Sequence, residues 1–557
     1  MQYVCPVLST LRHSGTSALR LLAPRTSPIC YNVLMRRFLL IGLDGAEPSL
    51  VERWMREGRM PRLAGLQRLG SYLPLQSTVP PATFPAWTTC VTGVNPGRHG
   101  IFDFTEVNPG AYSIRFLNAN DRKAPALWNI LSAAGKRVAV IGVPATYPPE
   151  KVNGIMLSGF DSPVCTSVDR SFVHPPELYE EVRDWRFADF QETHIDPGWH
   201  DRAFPELLKG IAVKEAIALK LLDREPWDFF MVVFGESDTV AHHFWLFHDP
   251  RSPRHRPGHE HAIRDVYQRL DRAVGNLVDA AGDDVTVAVV SDHGFGGAGT
   301  GVLHLNNWLG EQGYLRFAPS RAGLLKRLVL EILPDGWQGA IFRRFQGFAA
   351  GAESRSRFAG IDWEHARAWS EELNYFPSIR VNLKGREPCG QVDPAEYDSF
   401  CCDLCARLES WPPVKKAWRR GELYQGDHLG SAPDIILDLA LEDGYSYSCL
   451  RSRGGPALRR IAPGEYLGGK EHGMNGAHRP TGILFLSSPT PAGAAHIQDV
   501  ASTVLSALGV PAPLMDGTSL LGPVSPGTPA DRDSHEPYAP DRERVVENRL
   551  RALGYFE

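Results

Sequence analysis

Four apolar runs, each ending at a turn, set the rhythm of the first 310 residues. Phe38 to Leu43, Arg137 to Val143, Asp228 to Phe234 and Val285 to Val290 are β-rich and apolar at successive rather than alternate positions, the pattern of strands buried on both faces of a parallel sheet. Between them, Pro61 to Leu69, Ala126 to Ala134 and Val266 to Ala280 carry apolar residues at helical spacing. This alternation predicts an α/β fold with a doubly wound, mostly parallel sheet. Such sheets bind ligands beyond the carboxyl ends of their strands. Asp44, Asp238 and Asp292 stand there.

The alternation stops after Tyr314. Residues 315–425 hold a basic amphipathic stretch around Leu324 to Phe345, a helical run from Asp393 to Trp411, and tryptophans at 337, 363, 369, 411 and 418. This segment reads as an insertion or cap lying over the site. Its tryptophans suit core packing better than ligand contact, although with Arg343 and Arg344 they are candidate contacts for an organic group. Alternation returns at Pro433 to Leu439, and Gly482 to Leu486 supplies one more core strand. The expected organisation is an N-terminal extension (1–34), a first core part (35–314), the cap (315–425), a second core part (426–521), and a Pro- and Gly-rich linker with a charged helix from Asp541 to Leu553 (522–557). No internal repeat stands out.

Composition narrows this only a little. A chain of 557 residues can bury a large core, and a net charge of -5 gives no reason to expect nucleic acid or an anionic membrane as partner. Nine cysteines without regular spacing do not make a small disulfide scaffold. Cys402 and Cys405 form an isolated CxxC that reads as helix packing. No apolar run approaches bilayer length, so the expectation is a soluble, cytoplasmic protein. The arginines before Asp44 also suit an organellar transit peptide. The preferred alternative is that the chain proper starts at Met35.

The candidate chemistry lies in short motifs. Asp44 follows its strand and precedes Gly45, as a metal ligand or a helix cap would. Thr83, in Pro-Pro-Ala-Thr-Phe-Pro-Ala-Trp, stands where a short helix should begin, so it reads either as an N-cap or as a hydroxyl nucleophile facing unpaired backbone amides. Such a hydroxyl is a weak nucleophile unless a metal favours its alkoxide. Asp238 and His242 are four apart, which puts both on one side of a helical turn, with His243 directed elsewhere. Asp292 and His293 end the fourth strand in Ser-Asp-His-Gly. A last ligand comes from His472 or His478, ahead of the strand at Gly482. Oxygen and nitrogen donors without thiolate fit two divalent ions, Zn2+ first and Mn2+ second, and argue against Mg2+ or Ca2+.

Leu43-Asp44-Gly45, the run from Thr83-Phe84-Pro85 to Thr92-Gly93 and His99-Gly100-Ile101, and Ser291-Asp292-His293-Gly294 together resemble the alkaline phosphatase superfamily. The similarity is to its phosphohydrolase and phosphomutase branch, which itself resembles type I phosphodiesterases and nucleotide pyrophosphatases. The resemblance implies one metal held by Asp238, His242 and a C-terminal histidine, and a second held by Asp44, Asp292, His293 and Thr83. His478 keeps the histidine-to-strand spacing of the mutase and phosphatase branches and is preferred. His472 resembles the pyrophosphatase form and is the reserve. Two departures matter. Phe104 stands where nucleotide pyrophosphatases carry a phosphate-binding asparagine, so that contact must come from elsewhere. Sulfatases need cysteine or serine followed by x-Pro-x-Arg, whereas here the nucleophile is threonine and Trp87 replaces the arginine.

The implied activity is metal-dependent hydrolysis of a phosphodiester, pyrophosphate or phosphomonoester through a phosphothreonine at Thr83. The substrate would be a small phosphate ester or nucleotide-like molecule, with no nucleic acid and no membrane span. A phosphomutase using the same site is the first alternative, and a non-catalytic metal-binding protein on this fold is the second.

Overall fold

The computed structural model describes residues 37–159, 170–186, 195, 198–318, 358, 360–452, 454–462, 465, 474–491 and 493–527. The expected N-terminal extension, the basic stretch at 324–345 with Arg343 and Arg344, Trp337, His472 and the C-terminal helix lie outside these residues.

The four apolar runs are neighbours in one nine-stranded sheet. Its order is Ala495–His496, Ser71–Gln76, Thr481–Leu486, Val285–Val290, Arg37–Leu43, Phe229–Phe234, Val138–Val143, Gly154–Ser158 and Val173–His174. From Val285–Val290 to Gly154–Ser158 every pairing is parallel, whereas Thr481–Leu486 and Val173–His174 run antiparallel to their neighbours. Successive side chains of a strand point to opposite faces. Leu39, Ile41 and Leu43 therefore enter the core under the helices Pro48–Arg56, Trp199–Asp223, Glu236–His248 and Ala262–Ala281. Phe38 and Leu40 enter the core under Thr83–Thr92, Leu127–Ala133 and Asp499–Ala507. Helices on both faces explain why these strands are apolar on both faces: all six residues of Phe229–Phe234 and of Val285–Val290 are buried.

Among the described residues three smaller sheets accompany this one, and two of them concern the site. The strand Gly294–Leu303 starts directly after His293 and pairs antiparallel with Gly476–Arg479, which sets His478 opposite Phe295. The other sheet runs in the order Ala368–Trp369, Ser378–Val381, Ile435–Leu439, Val414–Arg419, with the helix Tyr397–Glu409 in its core. Its makeup corrects one expectation. Ile435–Leu439, read as part of the returning main core, pairs with Ser378–Val381 and Val414–Arg419 instead. Its hydrophobicity could not reveal this, because any half-buried sheet asks for the same residues. Trp369 is fully buried here, and Trp363 and Trp411 pack against the same cluster. Of the CxxC pair, Cys405 packs on that core and Cys402 is exposed. No helix among the described residues is long and apolar enough to cross a membrane.

Candidate metal centre and nucleophile

Three adjacent strands deliver the carboxylates to one edge. Leu43 is in register with Phe234, and Gly42 with Val290, so Asp44, the helix starting at Glu236, and Asp292 emerge side by side. The turns are tied together by hydrogen bonds. Asp44 N–H donates to the Phe234 carbonyl at 2.9 Å, and the Ser237 hydroxyl donates to the Asp44 carbonyl at 2.6 Å. Gly45 turns the chain at a φ of 65°, where a side chain is disfavoured, and its N–H donates to Asp292 Oδ1 at 3.1 Å. Ala46 N–H donates to Ser291 Oγ at 2.8 Å, and that hydroxyl donates to the His293 carbonyl at 2.6 Å.

Two groups of donor atoms result. In the first, His293 Nε2 lies 3.3 Å from Asp292 Oδ2, 3.5 Å from Asp44 Oδ1 and 3.4 Å from Thr83 Oγ1. In the second, Asp238 Oδ1 lies 3.3 Å from both His242 Nε2 and His478 Nε2, and those two nitrogens are 3.1 Å apart. His293 borders both groups: one donor atom each from Asp44, Asp292 and His293, and likewise from Asp238, His293 and His478, lie within 4.8 Å of one another.

The protonation pattern decides what these groups suit. Each imidazole faces a backbone carbonyl with its other nitrogen: His293 Nδ1 meets Gly294 O at 3.1 Å, His242 Nδ1 meets Gly476 O at 3.0 Å, and His478 Nδ1 meets Pro81 O at 2.8 Å. A carbonyl only accepts, so Nδ1 carries the proton and donates, leaving a lone pair on each Nε2. The carboxylate oxygens they face, Asp44 Oδ1, Asp292 Oδ2 and Asp238 Oδ1, are buried and have no hydrogen-bond donor among the described residues. Lone pairs converging without protons are unfavourable alone and well matched to a cation.

Without a cation these buried groups perturb one another strongly. Burial, reinforced by the charges of Asp292 and Asp238, pushes the Asp44 carboxyl well above its usual range, and burial with the charge of Asp238 does the same to Asp292. Burial and the neighbouring His478 pull His293 well down, and burial also lowers His478. Asp238 goes the other way. Burial works to raise it, but its contacts with His242 and His478 outweigh burial and hold it well below.

Thr83 is the first residue of Thr83–Thr92, and the N-cap is Ala82, which offers no side-chain cap. The cap reading of Thr83 therefore fails: its hydroxyl faces His293, and the positive end of the helix opens on the site without a capping side chain. His243 turns away and packs on Trp199 at 4.8 Å. Phe104 packs against Phe84 with ring centroids 4.2 Å apart and planes tilted by 42°, so this position serves aromatic packing.

Two residues in contact with the site were not singled out as site residues from the sequence. Trp87 donates from Nε1 to Asp44 Oδ2 at 3.0 Å; its place four residues after Thr83 on a helix was the available signal. Tyr375, from the loop between Ala368–Trp369 and Ser378–Val381, stacks on His478 at 4.3 Å, while His293 stacks on His478 at 3.7 Å. Local sequence carries no sign of that contact.

Residues 38–478 match the family described as type I phosphodiesterase / nucleotide pyrophosphatase. The chain belongs to that family. This places it among alkaline phosphatase superfamily members, as its motifs implied. Ectonucleotide pyrophosphatase/phosphodiesterase family member 1 of Mus musculus is 24% identical over 280 residues, which are 49% of this chain and 26% of the relative. The match thus spans about a quarter of that protein's length. Among solved structures, phosphonoacetate hydrolase from Sinorhizobium meliloti 1021 in complex with phosphonoformate aligns with a TM-score of 0.48 and 15% identity, covering 85% of this chain and 95% of that one. Murine ectonucleotide pyrophosphatase / phosphodiesterase 5 in complex with AMP aligns with a TM-score of 0.47 and 12% identity, covering 87% and 97%.

Proposed function

We propose that this phosphodiesterase family member is a metal-dependent phosphohydrolase that cleaves a small phosphodiester, pyrophosphate or phosphomonoester through a phosphothreonine on Thr83. The observation that carries this reading is the orientation of three imidazoles, whose Nδ1–H groups donate to carbonyls and whose Nε2 atoms converge on carboxylate oxygens that have no hydrogen-bond donor among the described residues. The donor set fits two divalent cations, Zn2+ first and Mn2+ second: one held by Asp238, His242 and His478, the other by Asp44, Asp292, His293 and Thr83. When bound, such ions supply Lewis-acid charge to an alkoxide nucleophile, to the transferring phosphoryl group and to the leaving oxygen.

The chain's own groups do the rest. Thr83 Oγ1, held at the edge of the first donor group, attacks phosphorus in line and displaces the leaving alcohol or phosphate. The uncapped start of Thr83–Thr92 directs helix dipole and backbone N–H groups toward the phosphoryl oxygens, the contact that Phe104 cannot make. Water then attacks the phosphothreonine, breaking the Oγ1–P bond and releasing phosphate or a phosphomonoester, and a proton of that water restores the Thr83 hydroxyl. The test is metal content together with hydrolysis of bis-(p-nitrophenyl) phosphate. Two bound transition-metal ions per chain and turnover that chelation abolishes are expected. Full turnover in protein free of metal would overturn the reading.

A further inference from the structure

Asp44 uses its two oxygens differently. Oδ2 accepts from Trp87 Nε1 at 3.0 Å, whereas Oδ1, without a hydrogen-bond donor among the described residues, lies 3.5 Å from His293 Nε2. Trp87 is fully buried, and a buried indole N–H needs an acceptor. Its slot is made by the strand that carries Asp44. Side chains two apart on a strand share a face, and a Cβ on Gly42 would lie 2.5 Å from Trp87 Cη2 and 2.8 Å from Val233 Cγ2. The missing side chain at Gly42 admits the indole that reaches Asp44. Trp87 also lies one turn after Thr83 on the same helix, so one rigid element carries both the nucleophile and the hydrogen-bond donor.

We propose that Trp87 is a positioning residue that restricts Asp44 to a single metal-facing oxygen, biases its site toward Zn2+ over larger oxygen-loving ions, and couples that ligand to the helix bearing Thr83. An oxygen that accepts an indole N–H has committed one of its two lone pairs and is a weaker ligand for a cation. Chelation by both carboxylate oxygens, which suits ions of higher coordination number, is thereby disfavoured, while the tetrahedral geometry of Zn2+ is satisfied by single-oxygen ligation. The inference rests on the reading that Asp44, Asp292 and His293 hold a cation.

The experiment compares wild-type protein with Trp87→Phe, and with protein carrying 3-benzothienylalanine at position 87, which replaces the N–H by sulfur at nearly the same volume. Zn2+ and Mn2+ affinities are measured by competition with a chelator of known strength. Release of Oδ2 should lower the ratio of Zn2+ to Mn2+ affinity about tenfold or more, within the range of lost hydrogen bonds to metal ligands. The benzothienyl protein should show the shift with its packing kept. Two ions weakened equally, or an unchanged ratio in both variants, would overturn the inference and leave Trp87 a packing residue. Wild-type protein that binds neither ion would overturn the proposed function instead.

Discussion

Thr83 offers the sharpest separation of chemistry from packing. Its side chain is buried, with 4% of its surface exposed, and it is not the cap of its helix, since Ala82 occupies that position. Thr83→Ala and Thr83→Ser both remove the γ-methyl, so each should lose about 1 kcal/mol of stability, the usual scale for one buried methyl group. Only Thr83→Ala also removes the nucleophile. Loss of a residue of that kind costs turnover on the order of 10^4-fold or more, equivalent to about 5 kcal/mol of barrier. The chemical effect should therefore exceed the packing effect several-fold and appear in one variant alone. Denaturant midpoints give the stabilities, hydrolysis of bis-(p-nitrophenyl) phosphate gives turnover, and mass spectrometry of acid-quenched protein detects a phosphoryl group on residue 83. Serine should retain turnover and adduct, and alanine should lose both. Wild-type turnover in Thr83→Ala, or a well-folded Thr83→Ser as inactive as alanine, would refute the nucleophile assignment.

Other outcomes follow from the same geometry. His478→Ala leaves its donor group with Asp238 and His242, so metal content should fall toward one ion per chain and catalysis should stop; elemental analysis that still finds two ions would remove His478 from the ligand set. Removing the ions should destabilise the fold by about 4 kcal/mol for a site previously held at a thousandfold excess over its Kd, because converging lone pairs are left unopposed; an unchanged unfolding midpoint in chelator would contradict this. His99 provides a pH test away from the metals. Its Nδ1 accepts from Ile101 N–H at 3.1 Å and its Nε2 lies 2.9 Å from Thr89 Oγ1. Burial, helped by Arg122 and His428, lowers it from 6.5 to about 3. The unfolded chain takes the proton first, so this contribution is intact above pH 6.5 and is lost as pH falls from there toward 3, by up to about 1.4 kcal/mol per pH unit. His99→Gln should flatten the stability slope in that window by one proton, and an identical slope would show that His99 does not stay neutral.

The sequence by itself determined the central strands and the residues at their ends. Strand character and the turn that follows it are local: a run such as Val285–Val290 needs both faces covered, and Ser-Asp-His-Gly must then emerge at the sheet edge. The spacing of Asp238 and His242 was legible for the same reason, because one helical turn fixes it. The tertiary structure decided how these pieces meet. His478 reaches His242 from 236 positions away because Gly476–Arg479 pairs with the strand leaving His293, a register that hydrophobic pattern does not encode. Ile435–Leu439 has the composition of a core strand, yet it joins the smaller sheet, whose loop brings Tyr375 onto His478. Trp87 reads as one more apolar residue until the fold sets its N–H against Asp44. Period and turn chemistry act over a few residues and can be read along the chain, whereas strand pairing and side-chain contact join distant segments, and the fit of the whole packed core selects among pairings that each segment alone would allow equally.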